Sequence, residues 1–360
     1  MPPISIMVKP SSSLCNLDCQ YCFYHSLAKA RESFSYDFMS DDLMEQIIFK
    51  ACEFTKGQHI SLSFQGGEPL LRGKEFYKKT IDAIKKNNKY NSKVTLVIQT
   101  NATLIDEEWC KFFKENNILL GVSLDGDRQA NRYRLDKEGK ETFERVKMAI
   151  YLLDNYKIEY NILSVITSYV AENIEQIFKH FVDCGFRFLQ FIPCLKPLGS
   201  KSQDSMYMTE KQYGDFLIKL FRLYFSYFIK VDYVSIRQFD NFVYLCARKQ
   251  AEQCGMNGHC SHQFVIESNG NVYPCDFYCI DEYLMGNIKE QNFSTLAKSE
   301  IAINFIKESM ILDEKCKQCD YFRLCKGGCK RERGDVQKCG AYQRFFETSL
   351  PYLLKLREAL

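Results

Sequence analysis

The chain is 360 residues long, 46% hydrophobic and carries a formal charge of only +3, enough length to bury a sizeable core in one large domain and a smaller one. So small an excess gives no global case for nucleic acid or a charged membrane surface, and no window approaches the ~18 apolar residues that span a bilayer. Seventeen cysteines against five histidines, behind an N-terminus without an apolar signal core, predict a cytoplasmic protein whose reduced thiols serve as metal ligands and packing residues, with iron–sulfur chemistry favoured over mononuclear sites.

Strands are expected near Ile4–Val8, Ile60–Phe64, Val94–Gln99, Leu119–Ser123, Ile158–Ile166 and Phe188–Ile192. Helical periodicity falls between them, over Asp41–Phe54 with Ser40 as N-cap, Lys74–Lys86, Asp106–Asn116, Thr142–Tyr156 and Ala171–Cys184. This alternation predicts parallel β/α units closing part of a barrel. A further helix, Glu210–Ile229, a strand-like run Tyr233–Phe239, a glycine-rich and cysteine-rich region from Cys254 to Cys339, and a helical stretch Tyr342–Leu360 follow. The expected division is a barrel over 1–230, a cluster-binding domain over 231–341 and a terminal helix over 342–360.

In such barrels ligands sit at the carboxyl ends of the strands, and the motifs cluster there. After the first strand, Cys15, Cys19 and Cys22 present three thiolates, enough to hold three corners of a four-iron cluster and leave one iron open to a small molecule. His25 is the only candidate for a fourth ligand, and Cys52 lies too far off in a helical pattern to close a zinc site. After the second strand, Gly66-Gly67-Glu68-Pro69 allows close backbone approach to a ligand, with Glu68 able to face an ammonium group. Gln99-Thr100-Asn101, Ser123-Leu124-Asp125-Gly126 and Cys194-Leu195 follow later strands.

Eight more cysteines stand at Cys254, Cys260, Cys275, Cys316, Cys319, Cys325, Cys329 and Cys339. They are enough to close two further four-iron clusters, whose full ligation suits electron transfer rather than substrate binding; a pair of structural zinc sites is the alternative. Lys326, Lys330, Arg331 and Arg333 among them offset cluster charge or form a solvated face. Cys52, Cys110, Cys184 and Cys246 are expected to pack inside helices; Cys194 and Cys279 have no assigned role. Asp276, directly after Cys275, is placed to take a proton while the cluster region accepts an electron, or else to cap a turn.

The Cys15/Cys19/Cys22 spacing, with aromatic Tyr21 before the last thiol, resembles the radical S-adenosylmethionine (SAM) enzymes, and the later array resembles their SPASM extension. Val8-Lys9-Pro10, Cys22-Phe23-Tyr24-His25-Ser26, Phe64-Gln65-Gly66-Gly67-Glu68-Pro69 and Pro274-Cys275-Asp276-Phe277-Tyr278 are together similar to the anaerobic sulfatase-maturating enzymes. The resemblance implies a partial (β/α)6 barrel with three [4Fe–4S] clusters. Their ligands would be Cys15, Cys19 and Cys22; Cys254, Cys260, Cys275 and Cys329; and Cys316, Cys319, Cys325 and Cys339. It implies SAM held by Gly66, Gly67 and Glu68 at its amino end, by Ser123 and Arg134 at the ribose and carboxylate, with Arg132 and Arg128 as alternatives, and by Leu195 along the adenine.

The implied reaction converts a cysteine or serine of an unfolded sulfatase polypeptide to Cα-formylglycine. A 5′-deoxyadenosyl radical removes hydrogen from Cβ, Asp276 acts as base, and Tyr24 and Gln65 face the substrate. A flavodoxin- or ferredoxin-type reductant, a monomeric state, and no nucleic-acid or membrane partner are the associated expectations. Two other readings are a radical SAM maturase of ribosomally made peptides and a non-catalytic iron–sulfur or zinc protein. The first commonly carries a leader-gripping module ahead of the barrel, for which a first strand at Ile4 leaves no room; the second does not account for an open three-thiolate site.

Overall fold

The computed structural model describes residues 2–230, 232–333 and 338–358. Among the described residues ten strands form, β1 (Ile4–Lys9), β2 (Ile60–Phe64), β3 (Val94–Thr100), β4 (Leu119–Ser123), β5 (Tyr160–Ile166), β6 (Phe188–Pro193), β7 (Ser235–Ile236), β8 (Val265–Glu267), β9 (Asn271–Tyr273) and β10 (Gly286–Asn287). Two compact units divide the chain, one built from Met1–Ser123, Arg134–Tyr160 and His262–Phe305, the other from Leu124–Tyr133, Asn161–Ser261 and Ile306–Leu360.

In the first unit the strand order is β10-β9-β8-β1-β2-β3-β4. β1, β2, β3 and β4 run parallel, with Ile4 opposite Ile60, Ile60 opposite Val94 and Val97 opposite Leu119. The helices that return the chain are α1 (Phe23–Lys29), α2 (Asp41–Thr55), α3 (Lys74–Asn87), α4 (Glu107–Glu115) and α5 (Phe143–Tyr156). Ser40 caps α2 by accepting from Leu43 N, and Asp106 caps α4 by accepting from Trp109 N, each satisfying an otherwise orphaned amide. Phe64, Phe76, Tyr77 and Trp109 meet edge to face beneath the sheet. On the other side of β1, β8 pairs parallel so that Lys9 stands opposite Glu267, which brings the segment after residue 262 beside the first strand.

In the second unit β5, β6 and β7 run parallel, with α6 (Ser168–Glu172), α7 (Ile174–Asp183), α8 (Glu210–Ile229) and α9 (Arg237–Cys246). α8 starts on a capping box in which Thr209 and Gln212 satisfy each other's ends. The helix expected over Ala171–Cys184 is two helices, because Asn173 leaves helical angles and its side chain also donates to Tyr169 O at 2.9 Å, a local bond that competes with the helical ladder. Cys184 ends α7 exposed rather than packed. The run Tyr233–Phe239 keeps only two strand residues and then turns helical. Phe239 lies 5.2 Å from Phe221 and 5.7 Å from Phe345, so burial of one face of α9 overrides the β-branched alternation. The terminal helix spans Cys339–Arg357, three residues earlier than expected, and the expected last two residues lie outside the described ones.

Candidate active site

The loop after β1 carries the three closely spaced thiols, and α1 begins at the last of them. Cys22 caps α1 by accepting from His25 N, while Cys15 Sγ accepts from Leu17 N at 3.4 Å and Asn101 Nδ2 at 3.8 Å. Such donors stabilise sulfur that carries negative charge. Burial pushes the Cys15 thiol up to about 12 and raises Cys22 as well; a bound metal favours the thiolate form. His25 pairs with Asp18, Nδ1 to Oδ1 3.4 Å.

The two glycines after β2 are required by close approach. A Cβ on Gly67 would lie 2.1 Å from Leu14 O, on the thiol loop itself, and both glycines have positive φ. Glu68 N also donates to Leu14 O, so the glycine turn and the thiol loop are one packed piece. The Glu68 carboxylate is buried and accepts from Leu70 N, Thr100 Oγ1 and Asn101 N at 2.8–3.0 Å; burial pushes it up to about 7. Three of its roughly four acceptor positions are thus filled, a clamp joining this turn to the end of β3.

Ser123 ends β4 and accepts from Gln99 Nε2 at 3.0 Å. Arg134 is buried with its guanidinium 5.4 Å from the Tyr21 ring, and its charge acts on Cys22. Arg132 instead donates to Gln129 O and lies over Tyr133 and Tyr169. Of the two, Arg134 is the one associated with the thiol motif. In the second unit Leu195 is buried just past β6, next to Cys194, whose thiol is pushed up to about 12 by burial and then by Asp125 and Asp204.

Asp276 stands in a single helical turn, Asp276–Tyr278, after Cys275. It is 6% exposed, with Gln65 Nε2 donating to Oδ2 at 2.9 Å and Lys9 Nζ 2.5 Å from Oδ1. This segment packs on α1 through Phe23 and Phe277, 4.8 Å apart. Lys9 is wholly buried, its ammonium 3.8 Å from the Tyr24 ring. Burial works to lower it, but Asp276, then Cys279 and Glu267, outweigh burial and leave it raised. The Tyr24 hydroxyl donates to Glu267, which also pairs with Arg31 at 2.6 Å. Of the two residues expected to face a substrate, Gln65 contacts Asp276, and Tyr24, almost fully buried, contacts Lys9 and Glu267. Lys9, Arg31 and Glu267 were missed. Lys9 entered the sequence reading only within the Val8-Lys9-Pro10 run of the family resemblance, with no role of its own.

Cys316, Cys319, Cys325 and Cys339 line one cavity with Lys315, Tyr321, Phe322 and Tyr342. Four thiols on one hollow fit a cuboidal cluster as donor set. Burial pushes Cys325 up to about 11, reinforced by Cys339, Cys316 and Cys319. Cys254, Cys260 and Cys329 form a second group. A Cβ on Gly255 would be 3.1 Å from Cys329 Cβ, and Cys254 feels the charge of Cys260 and Cys329 that of Cys254. Cys275 belongs to the first unit. The basic residues here do not make a plain solvated face. Arg333 donates to Ser309, Ile311, Gly327 and Gly328 carbonyls, buried Arg331 donates to Lys196 O, and Lys330 pairs with Glu308.

Family models match twice, the radical SAM superfamily over residues 10–182 and an iron–sulfur cluster-binding SPASM domain over 254–320. The chain is 43% identical to a cysteine-type anaerobic sulfatase-maturating enzyme of Clostridium novyi, covering 100% of this chain and 99% of the relative. It is 42% identical to one from Clostridium perfringens over 99% of both, and 31% identical to a serine-type enzyme of Bacteroides thetaiotaomicron over 99% and 92%. Among solved structures, native anSMEcpe with bound AdoMet and Cp18Cys peptide matches with TM-score 0.94 at 41% identity over 99% of each chain. Streptococcus suis SuiB matches at TM-score 0.60 with 19% identity over 92% of this chain and 73% of that one, a likeness of fold alone. The fold is therefore an open α/β partial barrel with a cysteine-rich iron–sulfur extension.

Proposed function

The chain belongs to the anaerobic sulfatase-maturating enzymes, radical SAM proteins with a SPASM extension, and from that premise we propose how its residues divide the work on a cysteine substrate. It converts a side chain of a sulfatase peptide to Cα-formylglycine. Three [4Fe–4S] clusters and SAM, when bound, supply the 5′-deoxyadenosyl radical that takes hydrogen from the substrate Cβ and the route by which a second electron leaves.

Cys15, Cys19 and Cys22 would hold the open cluster, Cys316, Cys319, Cys325 and Cys339 one closed cluster, and Cys254, Cys260 and Cys329 would supply thiolates to the other. Gly66 and Gly67 give backbone access to the amino end of SAM, and Glu68 has an acceptor position left for it. Arg134, over the Tyr21 ring, would take the carboxylate, with Ser123 at the ribose. Asp276 accepts the substrate thiol proton as carbon–sulfur double-bond character forms, and water then replaces sulfur, releasing hydrogen sulfide. Gln65 orients Asp276, and Tyr24 lies against Lys9 beside them.

The observation that carries this reading is the buried Asp276 carboxylate, held by Gln65 beside the glycine turn, in a segment whose Phe277 packs on Phe23 of α1. The terminal helix is Cys339–Arg357, and the protein acts as a cytoplasmic monomer served by a flavodoxin- or ferredoxin-type reductant. The cysteine preference rests on the higher identity to cysteine-type than to serine-type relatives. Matched cysteine and serine peptides, followed by mass spectrometry under anaerobic turnover, test it. Aldehyde should form at least tenfold faster from cysteine, and equal or reversed rates would overturn the preference.

A further inference from the structure

We infer that Lys9 is a positioning residue for the oxidation: by holding Oδ1 of Asp276 it leaves Oδ2, the oxygen that Gln65 reaches, as the one presented for the substrate's proton. The inference rests on the reading of Asp276 as proton acceptor. Lys9 is the last residue of β1, and everything around its side chain restricts it. The Tyr24 ring lies on one side at 3.8 Å. Gly66 lies on another, where even a methyl group would come within 2.8 Å of Lys9 Cγ and 2.9 Å of Nζ. Asp276 Oδ1 closes the end at 2.5 Å.

Glu267, opposite Lys9 in the strand register, is not its ion partner. The Glu267 carboxylate is taken by Arg31 Nη1 at 2.6 Å and by the Tyr24 hydroxyl. The buried charges thus pair off as Lys9 with Asp276 and Arg31 with Glu267, with Tyr24 between them. A buried ion pair is a poor device for stability, since well-packed apolar residues commonly do as well or better. A fixed ammonium beside a carboxylate whose other oxygen is held by a neutral amide is instead a device for orientation.

The test compares Lys9→Met, Asp276→Asn and the combined variant, with iron content, peptide KM, and the ratio of formylglycine to 5′-deoxyadenosine as readouts. Lys9→Met should keep its iron, its SAM cleavage and a KM within about twofold, while the ratio falls tenfold or more. The combined variant should be no worse coupled than Asp276→Asn alone, because Lys9 acts through that carboxylate. A ratio within twofold of the parent in Lys9→Met, or losses that multiply in the combined variant, overturn the inference. If Lys9→Met loses iron, the combined variant, which leaves no unpaired charge, decides: iron loss there too makes Lys9 structural and also overturns it. Normal product from Asp276→Asn would instead remove the base assignment on which the inference stands, a distinguishable result.

Discussion

Asp276→Asn preserves side-chain size but removes the charge facing an ammonium that is fully buried 2.5 Å away. Breaking one side of such a pair costs about 3–5 kcal/mol, so a loss of product alone does not identify a base. The diagnostic is a split: with a Cβ-deuterated cysteine peptide the variant should still place deuterium in 5′-deoxyadenosine while formylglycine falls sharply. Parallel loss of both would mark damage to the fold. Glu68 offers a second residue-scale test through pH. Its folded value, about 7, lies above the usual carboxyl value near 4.5 because of burial. The protonated form is therefore favoured in the fold, and its stabilisation is present below about 4.5 and is lost as pH rises through 7. Without SAM, unfolding free energy should fall by up to about 1.4 kcal/mol per pH unit across that window. Glu68→Gln should flatten the slope; an unchanged slope would assign it to other groups.

At the scale of elements, the glycine turn after β2 and the thiol loop after β1 behave as one piece, since Gly67 leaves no room for a side chain against Leu14 O. Gly67→Ala should displace the thiol loop, lowering iron by about four per chain while the later cysteines keep theirs; full iron with normal SAM cleavage would contradict the coupling. The parallel strands were legible because a buried strand announces itself as a short apolar run bounded by turn residues, and β2 and β4 match their expected bounds. The site was legible where chemistry fixes residue type and spacing, as in Cys15/Cys19/Cys22. Lys9 was not, because nothing local distinguishes a strand-end lysine that meets Asp276, 267 residues away, from one in solvent. Tyr233–Phe239 failed for a related reason. Its helix depends on Phe221 and Phe345, which sequence periodicity within the run does not contain.

The whole molecule should carry three clusters of one kind. Anaerobically reconstituted protein should hold about twelve irons, and replacing Cys15, Cys19 and Cys22 together by alanine should remove about four with all SAM cleavage. Essential zinc in the C-terminal array would contradict it. Among the described residues no helix is long and apolar enough to cross a membrane. Radical oxidation of a peptidyl cysteine to an aldehyde can be followed by mass spectrometry in one anaerobic reaction on a Cβ-deuterated cysteine peptide. Deuterium should appear in 5′-deoxyadenosine together with formylglycine at that cysteine and release of sulfide; a thioether or other crosslinked product retaining the sulfur, with no aldehyde, would rule the reaction out.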